Sequence, residues 1–370
     1  MTAVDWESFV MKRSSLMTLT IGLLLFPLFA ASDSVRAQQS DRQKPSVTIN
    51  TDLVVTWAQI TSRGDGTPVK GLEIDNFLLR EDGKPQQISL IKEDQPLSVV
   101  ILVQGLIPCG ESFSLMTSFR RNREALRQLG DDAEIALMVW YSRVALVQPM
   151  TRDWINIAYY LEDRNRLIKA SNQAGLVDSI PELERPGEAI YQAARYLEKA
   201  TPPGRRKVII IINKPNWVSQ KHLHTATEVS ELIEKTGTTV YWLYQTFDGR
   251  RRPEDDYSSS LLFGIKRQDK KRRAGGTIEE FVEQTGGSII TGDAKDSDEL
   301  LIKLTGLIRS GYTIGYYPEN SDFDGKFRRI SLELSPQGKA KVGKVNIKTR
   351  TGYLALRPSA TAASEIHSER

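Results

Sequence analysis

A single cysteine, Cys109, is the only thiol in the 370-residue sequence. That excludes an intrachain disulfide and any metal centre built from several cysteines. Excess charge of one sign is also missing. The 50 Lys and Arg against 46 Asp and Glu leave a formal net charge of +4, too little to argue for a nucleic-acid partner. Apart from one run near the start, no apolar stretch is long enough to cross a bilayer. No carboxylate pair, nucleophile–histidine constellation or phosphate-cradling glycine loop is legible, so nothing points to an enzyme. The rest, 40% hydrophobic and 26% charged, is ordinary for a globular protein with room for one large domain or two smaller ones.

The one apolar run covers residues 16–31, behind Lys12 and Arg13. Val35-Arg36-Ala37 then offers small residues at the −3 and −1 positions of a cleavage site before Gln38. This predicts a signal peptide over 1–37 and an extracytoplasmic protein, periplasmic or secreted, with no membrane span after cleavage. A retained signal anchor is the alternative, although a run of about 16 residues falls short of the roughly 20 that span comfortably. No cysteine stands at the cleavage point, which argues against a lipid anchor.

Leu97 to Val103 is a short continuous apolar run rich in β-branched residues, the pattern of a strand buried on both faces. It breaks at Gln104-Gly105, after which Leu115, Phe119, Leu126 and Leu129 fall on one helical stripe. Strand, loop and amphipathic helix make the first half of a βαβ unit. Residues 133–141 read as the next strand, with 144–147 returning beside it as an edge hairpin. Helices are expected over 154–167 and 189–200, with a loop over 172–186 between them. Val208 to Ile212 has the signature of a central parallel strand. Thr225…Glu228 and Thr277…Glu280 are capping boxes whose helices stop at Gly237 and Gly286-Gly287. Further strands are expected at 239–244 and 288–290, and a last helix at 298–308. The alternation predicts an α/β fold, a doubly wound, mostly parallel sheet of Rossmann type with helices on both faces. Both flanks read as short strands, including a hairpin of 77–80 with 87–91. Each flank is too small to bury much core alone, so the two are expected to join in one small β-sandwich-like lobe. The expected division is 1–37 signal peptide, 38–45 disordered linker, 46–93 first part of the lobe, 94–310 α/β domain, 311–356 second part, and 357–370 flexible tail.

The strand, helix and βα alternation resemble a von Willebrand factor A-type domain. The flanks sharpen this: Thr51-Asp52-Leu53-Val54-Val55, Gly71-Leu72-Glu73-Ile74-Asp75-Asn76-Phe77, Glu81-Asp82-Gly83-Lys84-Pro85-Gln86, Gly315-Tyr316-Tyr317-Pro318, Gly325-Lys326-Phe327 and Gly352-Tyr353 look like the exported bacterial VWFA-related domain proteins. The resemblance covers roughly residues 46–356 and implies an extracytoplasmic protein with an adhesion-type or assembly role. It also implies a metal-ion-dependent adhesion site: an Asp-x-Ser-x-Ser after the first strand, a Thr before a later helix, and an Asp after a central strand. Those oxygens hold a hard cation whose shell a partner's carboxylate completes.

This sequence departs from that pattern at all three loops. After Val103 it reads Gln104-Gly105-Leu106-Ile107-Pro108; before the helix it offers Glu188; after Ile212 it gives Asn213-Lys214. Without the two serines and two aspartates, the anionic oxygens that offset the cation's dehydration are gone. No metal and no cofactor is therefore expected. Two readings follow for Lys214 and Glu188: the ammonium fills the vacated place and pairs with the carboxylate, or both are solvated loop residues that never meet. Cys109 sits near the helix entrance, where a thiol can become nucleophilic, but no histidine is near it in sequence. It reads as an inert thiol or a link between two chains. His222-Leu223-His224 precedes a capped helix and reads as a solvent-facing helix entrance, not a metal pair. The stretch 248–273 carries Arg250-Arg251-Arg252 and Lys270-Lys271-Arg272-Arg273, which suit an acidic polymer or surface if they are more than a solvated insertion. The expected function is a non-enzymatic module that binds a protein partner through the edge around Gln104, Cys109, Glu188 and Lys214. The alternative is a structural subunit of a cell-envelope assembly packing through its β-lobe.

Overall fold

The computed structural model describes residues 53–93, 95–104, 121–140, 144–173, 186–213, 223–246 and 277–356. In chain order the first flank gives β1 (Val54–Ser62), β2 (Phe77–Glu81), β3 (Lys84–Gln86) and β4 (Ile88–Lys92). The middle gives β5 (Leu97–Gln104), α1 (Asn122–Gln128), β6 (Glu134–Trp140), β7 (Val144–Thr151), α2 (Trp154–Glu162), α3 (Arg164–Gln173), α4 (Pro186–Ala200) and β8 (Arg206–Asn213). It continues with α5 (Ala226–Thr236), β9 (Thr239–Thr246), α6 (Ile278–Thr285), β10 (Ile289–Asp293) and α7 (Ser297–Arg309). The second flank gives β11 (Gly311–Tyr316), β12 (Phe327–Leu334), α8 (Pro336–Val342), β13 (Val345–Thr349) and β14 (Gly352–Leu354).

The middle strands form one sheet in the order β10-β9-β8-β5-β6-β7, parallel throughout except for β7. Every residue of β5 is buried, because alternate side chains feed two cores. Val99, Ile101 and Val103 pack with α1, α2 and α7 through Leu126, Ile157, Leu304 and Ile308. Val100 and Leu102 pack with α4, α5 and α6 through Ile190, Ala194, Val229, Ile233 and Phe281. A strand covered on both faces has no solvent-facing side to make polar, hence the unbroken apolar run. Both capping boxes form, with Thr225 and Thr277 accepting from the Glu228 and Glu280 amides, and both helices close on a left-handed glycine, Gly237 and Gly286.

The flanks interleave into two four-stranded sheets, β13-β1-β11-β4 and β14-β12-β2-β3. Ala58, Ile60, Phe77, Leu79, Tyr312, Ile314, Leu332 and Leu334 fill the space between them. The expected hairpin is corrected here. β2 turns back only into the three-residue β3; β4 leaves for the other sheet and pairs with β11. The expected single helix over 154–167 is two helices, broken at Asp163, whose extended backbone ends α2 and whose carboxylate accepts from the Asn165 amide at 2.8 Å. The start of the predicted stripe, Leu115 and Phe119, lies outside the described residues, as do the signal segment and the tail; Leu126 and Leu129 are buried as expected.

The lobe docks on the amino ends of the parallel strands. Trp57 Nε1 donates to the Tyr241 hydroxyl at 3.1 Å, and Gln59 Nε2 to the Leu307 carbonyl at 3.0 Å. Arg206, at the start of β8, lies under the Trp57 ring at 3.2 Å and donates to the Ile308 carbonyl and the Tyr241 hydroxyl. Burial pushes its guanidinium pKa down to about 10, the Tyr241 contact partly opposing, so it stays charged at neutral pH. The carboxyl edge of the sheet is left at the opposite end.

Candidate functional site

In a doubly wound sheet the ligand crevice lies outside the carboxyl ends of the strands, where the strand order reverses. Here that point lies between β5 and β8, neighbours whose connections run to opposite sides. β5 ends on Gln104 and β8 on Asn213, both buried. Asn213 is not open to a ligand: its Oδ1 accepts a hydrogen bond from Trp242 Nε1 on the next strand. The Trp242 ring in turn meets Tyr244 edge-on, with centroids 5.0 Å apart. Two neutral amides therefore occupy the positions that end these two strands, Asn213 held by Trp242.

Glu188 is the third residue of α4, inside the helix and not on a loop. A first-turn carboxylate is favoured there by the unpaired amides and the helix dipole. The residue is 8% exposed. Oε1 accepts from Gln192 Nε2 at 2.7 Å, one turn further along α4. Oε2 lies 2.6 Å from His224 Nδ1. The His224 ring stacks on Tyr191, with centroids 3.6 Å apart and planes 14° apart. His224 stands directly before Thr225, the N-cap of α5. One carboxylate thus joins the start of α4 to the entry of α5.

The expectation of a solvent-facing stretch is corrected for His224, whose side chain is only 24% exposed; Leu223 beside it does face solvent, at 69%. Residue-type reasoning missed Tyr191 and Gln192, and read His224 only as part of a solvent-facing helix entrance. The helical signal was present, since Glu188 is followed at i+3 by Tyr191 and at i+4 by Gln192 on one face. Cys109, Lys214 and the basic clusters Arg250, Arg251, Arg252 and Lys270, Lys271, Arg272, Arg273 lie outside the described residues, so the Glu188–Lys214 pair has no geometry here. Among the described residues no helix is long and apolar enough to cross a membrane.

Strand order decides the fold. Numbered from β5, the sheet runs 6-5-4-1-2-3, with its third strand the antiparallel edge, and both flanks add a β-lobe. The central domain has a von Willebrand factor A-like fold. No protein-family model and no curated protein matches the sequence. Among solved structures, an aerotolerance-related membrane protein from Bacteroides fragilis NCTC 9343, carrying multiple mutations to serines, is 18% identical with a TM-score of 0.33; the match covers 57% of this chain and 98% of that one. BatB from Bacteroides thetaiotaomicron is 15% identical at a TM-score of 0.34, over 58% of this chain and all of its own. The SpRpn10 VWA domain is 10% identical at 0.30, over 56% and 93%.

Proposed function

We propose that this von Willebrand factor A-like chain is an exported, non-enzymatic protein-interaction module. Its contact surface is the carboxyl edge around Gln104, Cys109, Glu188 and Lys214, used without a bridging metal. The observation that carries this reading is that, among the described residues, the oxygens of Gln104, Asn213 and Glu188 at this edge are neutral or already engaged. A hard divalent cation takes about six oxygen donors and needs anionic ones to offset its lost hydration. Gln104 and Asn213 are neutral, the Asn213 carbonyl serves Trp242, and the Glu188 oxygens serve Gln192 on α4 and His224 just before the N-cap of α5. These residues do not fit a magnesium site. The basic clusters at 250–252 and 270–273 are a second surface for an acidic polymer.

Two measurements test this. The thermal midpoint of the purified protein is expected to stay constant when millimolar MgCl2 or MnCl2 is added. A ligand present at about 100 times its Kd would add roughly 2.7 kcal/mol and move it by degrees. Capture of partners from native envelope is expected to survive a chelator and to be lost with Lys214→Glu. Capture abolished by chelator and restored by Mg²⁺ would overturn the metal-free reading. A second reading, an envelope subunit packing through its lobe, is favoured by the exposed Leu78, Tyr317 and Phe327 there. In that case Phe327→Asp abolishes capture and Lys214→Glu leaves it intact.

A further inference from the structure

We infer that the carboxyl edge carries a proton-operated clasp, in which His224 and Glu188 fasten the entry of α5 to the first turn of α4 more tightly when the imidazole is charged. Four contacts converge on it. Glu188 is nearly out of solvent, so its carboxylate depends on protein donors. Gln192 supplies one at 2.7 Å and His224 the other at 2.6 Å. Tyr191 stacks flat on the imidazole and fixes its plane. Thr225, next in the chain, caps α5 and takes the Val229 amide on its carbonyl at 3.1 Å.

Of the titratable groups, Glu188 and Tyr191 of α4 touch the imidazole; on α5, Glu228 accepts from the Thr225 amide at 2.7 Å. Imidazoles change charge in the physiological range. A charged ring donates from Nδ1 with ionic assistance, roughly doubling a neutral bond. A neutral ring still offers Nδ1–H in one tautomer, so the contact weakens instead of vanishing. Raising the pH therefore loosens α5's entry and the exposed Leu223 beside it.

The inference deepens the reading of this edge as the contact surface, but its test needs no partner, so either can fail alone. Hydrogen exchange is measured at the Glu228 and Val229 amides between pH 5.5 and 8 and corrected for intrinsic rates. Protection is expected to fall about fivefold in the native protein. The matching amides of α6, Glu280 and Phe281, sit on a capping box without a histidine and are expected to stay level. His224→Asn is expected to level the α5 response. Equal slopes at both helices, no slope at α5, or an unchanged slope in His224→Asn would overturn the clasp. Should the variant fold poorly, the comparison of α5 with α6 inside the native protein decides alone.

Discussion

Glu81 is a carboxylate buried between the two sheets of the lobe, and its survival there rests on two phenols. The Tyr316 and Tyr353 hydroxyls both donate to its Oε2, at 2.7 and 2.9 Å. Tyr316 comes from one sheet, and Glu81 and Tyr353 from the other, so one oxygen staples the sandwich. Arg206 solves the same burial problem without a counter-charge, spreading its guanidinium over the Trp57 face and two oxygens. The difference matters for mutation. Replacing Glu81 by Ala removes the shared acceptor and strands the buried Tyr316 hydroxyl and the half-buried Tyr353 hydroxyl, the buried one costing about 1–3 kcal/mol. Glu81→Ala is therefore expected to lower unfolding free energy by about 3 kcal/mol, and Glu81→Gln, which keeps a carbonyl acceptor, by about 1 kcal/mol. Urea unfolding followed by circular dichroism measures both; equal losses would show that the acceptor is not what Glu81 contributes.

The same lobe shows how closely the elements approach one another. A Cβ on Gly311, the first residue of β11, would lie 2.0 Å from the Trp57 ring. That ring cannot retreat, because Tyr241 holds its nitrogen and Arg206 lies against its face. Gly311→Ala is expected to cost about 3 kcal/mol and to shift tryptophan fluorescence, since it separates Trp57 from Arg206; unchanged stability would mean the interface yields. Nothing in the local sequence announces this glycine, whereas the elements themselves were mostly legible. Val208 to Ile212 needs no tertiary information to read as a central strand, and the two Thr-x-x-Glu boxes are local hydrogen bonds. Three features escaped. Leu161 and Leu167 are both buried, so the apolar period runs through the break at Asp163 and hides it. β4 follows β3 after a single residue, and only the partner β11, more than two hundred residues later, shows that it has changed sheets. α8 did carry a local signal, Ser335 at the N-cap with Pro336 behind it, in a flank read as short strands. At the edge, Gln104 and Asn213 were placed by the apolar runs they follow. The His224–Glu188 contact joins residues 36 apart and exists only because α4 and α5 pack side by side.

At the scale of the molecule, the parallel sheet sorts its helices by polarity. The amino ends of α1, α4, α5, α6 and α7, with Thr225, Thr277 and Glu188, gather at the carboxyl edge and their carboxyl ends lie on the lobe's side; α2, which follows the antiparallel β7, runs the other way, its last residue Glu162 meeting Arg123 of α1 at 2.7 Å. The ends on the lobe's side present carbonyls and a partial negative charge, and the lobe meets them with donors. Gln59 reaches Leu307, the Thr351 amide reaches Gln284, and Lys348 reaches the Ser288 hydroxyl just past α6. This docking leaves the candidate edge uncovered by the lobe and makes the lobe's integrity a condition of the whole. Its weak point is alkali. Tyr312, Tyr316 and Tyr353 all have their pKa raised, first by burial; Glu81 adds to the rise for the latter two, and Glu93 for Tyr312. In the unfolded chain these phenols ionise near pH 10, while in the native lobe they hold their protons. Between those two values the native state binds more protons, so stability falls as pH rises. Unfolding is expected to begin just above pH 10. Phenolate absorbance at 295 nm is expected to rise in two phases, the second coinciding with loss of the far-ultraviolet dichroism. A single phase in which all 12 tyrosines ionise while the dichroism stays intact would mean the three hydroxyls are not held by the fold.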